Sequence, residues 1–221
     1  MGSIGFKKVI FLDFTGTLFD PFINIRSILN SVAEEKGYKH YEESELGTIS
    51  KTPPITLLNK FLVPDHDKKS VVKEVLLRLE NEIQHIPPIP GIQAMLNALK
   101  EQGHYLGILS SNRPENIIKW LLANDLDIFH EIICVPFQET KTPYLETIKS
   151  KFSSSNKLFF VSDEAKDLVQ AKVAGFSSVG VRWGFDSLDS LQQANPDIIL
   201  SMPEDFIKIE LFTDQLLNSE N

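Results

Sequence analysis

Carboxylates, hydroxyls and a lysine recur in this chain at the points where apolar runs end. Asp13 follows Val9-Ile10-Phe11-Leu12, and Gly16 stands just beyond it, where the backbone can turn sharply. Ser110, Ser111 and Asn112 follow the run from Tyr105 to Leu109. Lys141 lies in the segment after Glu131 to Val135. Asp163 and Glu164 follow Leu158 to Val161, with Asp167 on the element after them. Taken singly, each is a common turn former, because Ser, Asn and Asp hydrogen-bond locally. Taken together, an acid, a hydroxyl, a cation and a second acid make a set that could hold and neutralise a phosphoryl group, which is most of what phosphoryl transfer asks of a protein.

The elements that must position these residues follow from periodicity. Four consecutive apolar residues before Asp13 predict a strand buried on both faces of a parallel sheet. From Gly91 onward strands and helices alternate: a helix from Ile92, strand 105–109, a helix from Pro114, strand 131–135, a helix from Pro143, strand 158–161. A helix near Lys166, strand 179–181, a helix near Leu188, strand 197–200 and a last helix from Pro203 complete the pattern. This alternation predicts an α/β fold, a Rossmann-like parallel sheet with helices on both faces. Ligands bind such sheets outside the carboxyl ends of their strands, where the reactive residues above would gather.

Between the first strand and Ile92 the spacing is helical throughout. Phe22, Ile25, Leu29 and Val32 share a face that Gly37 ends, Ile55, Leu58 and Phe61 mark a short helix, and Val72, Leu76, Leu79, Ile83 and Ile86 form a longer stripe. We therefore expect an inserted all-helical cap at 21–87 on a core of 1–20 and 88–221, with hinges at Phe19–Pro21 and Pro87–Gly91. The cap should lie over Asp13 and choose the substrate. Its basic residues, Arg26, Lys51, Lys60 and Arg78, are of a kind usually solvated, and the tail Asn218–Asn221 reads as frayed.

The stretch DFTGTLFD resembles the first motif of the haloacid dehalogenase superfamily of phosphohydrolases. Gly107-Ile108-Leu109-Ser110 resembles its second motif, Lys141-Thr142-Pro143 its third, and Phe159 to Asp167 its fourth. Ala171, Ala174, Gly175 and Val181-Arg182-Trp183-Gly184 are in the style of the phosphoglycolate-phosphatase branch. The resemblance implies Asp13 as nucleophile, with Mg²⁺ held by Asp13, Asp163 and the backbone carbonyl of Thr15. Ser110, Ser111 and Lys141 would bind phosphate with backbone N–H groups around Phe14, Thr15 and Gly16. Asp167 would orient Lys141, with Glu164 and Asn112 in support, and Lys149 is a weaker candidate for the lysine. Two departures stand out. The branch usually has glycine where this chain has Ser162, and the family usually has a second aspartate, its general acid and base, where this chain has Thr15. A hydroxyl donates a hydrogen bond but does not shuttle protons near neutral pH. P-type ATPases resemble the chain in having threonine there, with a long-lived aspartyl phosphate.

The expected activity is Mg²⁺-dependent hydrolysis of a small phosphate ester, slowed by Thr15. The alternative is a degenerate relative that binds phosphate, Mg²⁺ or a partner without useful turnover. The haloacid dehalogenases proper lack the second aspartate too, but they use no metal, carry Asn where this chain has Asp163 and need an early cap arginine, here only Arg26. A receiver-type signalling domain would place its aspartate after the third strand and has no helical insertion. Five histidines with no pair at helical spacing disfavour zinc, and the nucleotide-binding glycine loops and serine-hydrolase elbow are absent. Net charge −8 disfavours nucleic acid, no apolar run is long enough to span a membrane, and Cys134 has no intrachain partner. Cys134 reads as a buried strand thiol. A cytoplasmic monomer or weak homodimer is expected.

Overall fold

The computed structural model describes residues 6–49, 54–136, 139–152 and 157–206. Lys51, the chain beyond Phe206 and the expected frayed tail lie outside them. Strand β1 (Lys8–Leu12) sits centrally, and Val9, Ile10, Phe11 and Leu12 are fully buried. Their side chains alternate between two apolar layers, Ile10 and Leu12 on one side and Val9 and Phe11 on the other. That two-sided burial is the reason the run carries no polar residue.

Inserted after β1 are helices α1 (Phe22–Lys36), α2 (Glu43–Leu46), α3 (Pro54–Lys60) and α4 (Asp65–Glu82), and a 3-10 turn at Ile83–His85. Helix α1 ends at Gly37, as expected. The stripe on α4 differs from the expected one. Val71, Val75, Leu79 and Ile83, spaced by four, are buried, whereas Leu76 is 45% exposed. Uninterrupted four-residue steps keep one face of an α-helix inward, and only the 3-10 turn brings Ile86 back into that line.

The core then runs through α5 (Ile92–Glu101), β2 (Tyr105–Ser110), α6 (Pro114–Ala123), β3 (Glu131–Cys134), α7 (Thr142–Lys151) and β4 (Lys157–Ser162). It closes with α8 (Ala165–Ala174), β5 (Ser177–Val181), α9 (Leu188–Gln193), β6 (Ile198–Leu200) and a 3-10 turn at Pro203–Phe206, where a last helix was expected to begin. All strand pairings are parallel, in the order β3-β2-β1-β4-β5-β6. The order reverses between β1 and β4, so the crevice characteristic of such sheets opens beside Asp13. Residues of α5 and α6 pack in the layer of Ile10 and Leu12, those of α7 and α8 in the layer of Val9 and Phe11. Cys134 is only half-buried, because β3 is an edge strand and not a central one; burial raises the pKa of its free thiol.

The two expected hinges run side by side. Phe19 bridges Pro88 antiparallel, and Ile89 N–H donates to the Leu18 carbonyl at 3.0 Å. Phe14, Phe19 and Trp120 pack beneath them, tilted or edge to face, with ring centroids 4.7–5.3 Å apart, and Trp120 Nε1–H donates to the Ile86 carbonyl at 2.7 Å. The turn after β1 and both ends of the insertion thus share one apolar footing. No helix among the described residues is long and apolar enough to cross a membrane.

Candidate active site

Asp13 is the first residue past β1, 5% exposed. Its Oδ1 accepts the N–H of Phe14 at 2.7 Å and its Oδ2 accepts from Lys141 Nζ at 2.7 Å. Lys141, the residue before α7, is buried, and its ammonium also donates to Asp167 Oδ2 at 2.5 Å. Its backbone N–H donates to Gln170 Oε1, also at 2.5 Å, so the loop carrying the lysine is tied to α8 through both main chain and side chain. Asp163, next after β4, is fully buried; Oδ1 accepts from the Thr17 hydroxyl at 2.9 Å and Oδ2 from the Phe185 N–H at 2.8 Å. Gly16, at φ +82°, and Gly184 press on it so closely that a Cβ on either would lie 2.2 Å from Asp163 Oδ2 or 1.9 Å from Asp163 Cβ. Only glycine fits on both sides of this acid.

One ammonium therefore pairs with two buried carboxylates, while the third, Asp163, feels the charge of Asp13 with no cation paired to it. Burial would by itself lower the pKa of Lys141, but Asp13 and Asp167 hold it above the ordinary lysine value. Burial, and then the charge of Asp13, push Asp163 up to about 7; burial is also the main cause lifting Asp167 to about 6, against the pull of Lys141. Crowded oxyanions of this kind are what a hard cation relieves. No cluster of three or more His, Cys, Asp or Glu side chains suited to a metal exists among the described residues. Asp13 and Asp163 are a donor set of the kind that fits magnesium, which takes one or two carboxylates and keeps its waters.

Above this floor lies a cleft of about 310 Å³, with Asp13, Thr15 and Ser110 below and Leu76, Leu79 and Ile83 of the insertion opposite. Ser110 ends β2 buried, its Oγ accepting the Asn112 N–H at 3.3 Å, while Ser111 is exposed at the cleft wall. The family model described as haloacid dehalogenase-like hydrolase matches residues 9–181, from β1 through β5. The chain belongs to the haloacid dehalogenase-like hydrolases. Similar relatives are a phosphoglycolate phosphatase of Aquifex aeolicus, 30% identical over 209 residues, and one of Synechococcus elongatus, 25% identical over 203 residues. Each alignment covers 91% of this chain and 96% of the relative. A haloacid dehalogenase-like family hydrolase from Streptococcus pneumoniae shares the fold with a TM-score of 0.75 at 17% identity, over 91% of this chain and 97% of its own.

In this haloacid dehalogenase-like hydrolase Thr15 is held by neutral groups. Thr15 Oγ1 accepts from Asn112 Nδ2 at 3.1 Å, and Asn112 Oδ1 in turn accepts from Asn116 Nδ2 at 3.0 Å. Two of the turn's amides have partners within the chain. The N–H of Phe14 is given to Asp13, and that of Gly16 to the Phe19 carbonyl at 2.9 Å, because so tight a turn closes on itself. Glu164 lines the cleft but pairs with Lys166 at 2.5 Å, and Lys149 donates to the Ala174 carbonyl at 3.1 Å, away from the site.

Several participants went unread in the sequence. Thr17 lies inside the first motif, where its hydroxyl had no assigned partner. Asn116 carries the signal of a polar residue on an otherwise apolar helix face. Arg113, at the cleft, donates to Glu80 of α4 at 2.9 and 3.1 Å. Thirty-three residues separate that pair, and no local pattern announces it.

Proposed function

We propose that this chain is a magnesium-dependent phosphomonoester hydrolase that works through an aspartyl phosphate on Asp13 and turns over slowly. The observation that carries the reading is Asp13 itself, seated at the sheet's switch point on the floor of the cleft and held by Lys141, which Asp167 fixes from behind. The phosphatase names of the relatives support the same class of substrate, a small phosphate ester. We place it as a cytoplasmic monomer or weak homodimer, consistent with its lone unpaired cysteine.

A carboxylate oxygen of Asp13 attacks phosphorus, and the bond to the leaving oxygen breaks. The Ser110 hydroxyl and the Lys141 ammonium donate to phosphoryl oxygens as charge builds on them. Asp13, Asp163 and the Thr15 carbonyl oxygen are the groups that would hold Mg²⁺, which when bound cancels charge on the transferring group. Water then attacks the aspartyl phosphate, releasing phosphate and restoring Asp13. Both steps meet the same gap. Thr15 can steady the leaving oxygen or the water, but it neither gives a proton to the first nor takes one from the second, and general acid–base help is worth ~10²–10⁴ in rate.

Arg26, the residue a haloacid dehalogenase would need in the cleft, instead donates to the Ile49 carbonyl at 3.1 Å and lies over the Phe22 ring. The neutral Thr15–Asn112–Asn116 chain favours one second reading, a protein that binds phosphate or Mg²⁺ without useful turnover. Phosphate release from phenyl phosphate, with and without Mg²⁺, in wild type and Asp13→Asn decides between them. The hydrolase reading expects Mg²⁺-dependent release that the substitution abolishes. Equal rates in the two proteins, or no release beside intact phosphate binding, would replace it with the second reading.

A further inference from the structure

The insertion contains a second cavity of about 180 Å³, walled by Ile25 and Leu29 of α1, Leu57 and Leu58 of α3, and Val75 and Leu76 of α4. Its lining is wholly apolar. Leu76 is common to this cavity and to the cleft above Asp13, and it is 45% exposed whereas Val75 and Leu79 on the same helix are buried. One side chain therefore stands between a charged floor and an apolar chamber. A dry apolar cavity of ~150 Å³ is enough to take up benzene, so the chamber has room for one aromatic ring.

The cleft offers little to a charged leaving group. Among its described lining residues Arg113 is the one cation, and Glu80 already pairs with it at 2.9 Å; the cap's Arg78 is spent on Glu35 and Glu74. The chemistry of the floor points the same way independently. With Thr15 in place of an acid, the site favours a leaving oxygen that departs without a proton. A phenolate, of pKa near 10, meets that condition far better than an alkoxide.

We propose that the cap cavity is a leaving-group subsite and that the preferred substrates are phosphate monoesters of apolar aryl alcohols. This rests on the hydrolase reading above and names its substrate class. The Asp13–phosphorus bond forms as the phosphorus–phenolate bond breaks. The phenolate leaves with the electron pair and takes a proton from water; hydrolysis of the aspartyl phosphate then yields inorganic phosphate. The aryl ring enters past Leu76.

The test separates pocket from leaving-group effects by using two aryl esters, 4-methylphenyl phosphate and 4-carboxyphenyl phosphate, of which the second has the better leaving group, so that a preference for the first cannot come from leaving-group ability. Wild type should prefer the methyl ester by at least about tenfold in kcat/KM, because the apolar chamber would have to strip a carboxylate of its water without pairing it. Leu76→Trp, which blocks the passage at an already exposed position, should abolish that preference, while Leu77→Trp, outside both cavities, should keep it. Equal kcat/KM for the two esters, or a preference indifferent to Leu76→Trp, overturns the inference and leaves the hydrolase reading standing. Calorimetry with phenylphosphonate and methylphosphonate decides the inference even if no ester is turned over. Phenylphosphonate binding tenfold tighter supports the subsite, and equal affinities overturn it.

Discussion

Replacing Thr15 with aspartate puts a carboxyl group where the asparagine pair already points a donor. Asn112 Nδ2 lies 3.1 Å from the Thr15 hydroxyl, and Asn116 fixes the orientation of Asn112 at 3.0 Å. A carboxylate accepting from that amide gains about 1–2 kcal/mol over the neutral hydroxyl. Against this stands repulsion from Asp13 and Asp163, about 4 kcal/mol for a unit charge at ~4 Å in an effective dielectric near 20. Repulsion wins, so the new acid should carry a raised pKa, which is what a proton donor to a leaving group needs. With Mg²⁺ saturating, kcat on methyl phosphate should rise at least about tenfold, the low end of what acid–base help supplies. The gain on phenyl phosphate should be smaller, because phenolate leaves without help. Steady-state kcat on the two esters, with acid-quench trapping of the phosphoenzyme, measures this. Wild type should accumulate more trapped phosphoenzyme than the variant. No gain on either ester, with no phosphoenzyme in either protein, would refute the reasoning and leave a binding protein.

Asp163→Asn should weaken Mg²⁺ by at least about tenfold in calorimetry, since Asp13 would be left with only neutral oxygens beside it; Glu164→Gln, whose carboxylate is turned to Lys166, should change it little, and the reverse order would move the ligand to Glu164. Lys141→Met should cost about 3–5 kcal/mol of stability at pH 7.5 by denaturant titration, because it strands two buried carboxylates. The deficit should shrink at pH 5, where Asp167, titrating at about 6, takes up a proton. Metal-free protein should lose stability as pH rises. Asp163 at about 7 and Asp167 at about 6 lie above the 3.8 of an unperturbed aspartate, so between those values the folded state binds protons that the unfolded chain has released. From pH 5 to 7 Asp163 alone accounts for about 2 kcal/mol. Denaturation in EDTA at these two pH values tests the sign, and greater stability at pH 7 would contradict it. Added Mg²⁺ should stabilise more at pH 7 than at pH 5.

The order of strands and helices was legible in the sequence, and so was the arrival of Asp13, Ser110, Lys141, Asp163 and Asp167 at the strand ends or in the segments that follow them. Each is a local matter, an apolar run that stops at a reactive residue. What surrounds those residues was not legible, because it depends on which parts of the chain meet across the fold. Asp163 sits in a slot that Gly16 and Gly184 leave open and that Thr17 and Phe185 satisfy, and those contacts come from two loops on different strands. The face of α4 turned inward could not be chosen among Val71, Val72, Val75 and Leu76, all apolar; packing against α1 and α3 chose it and left Leu76 at the cleft. Arg113 and Glu80 attract only once the insertion lies over the sheet edge. Spacing along the chain determines which residues reach the strand ends, but burial, pairing and the walls above them arise only when distant segments share one volume.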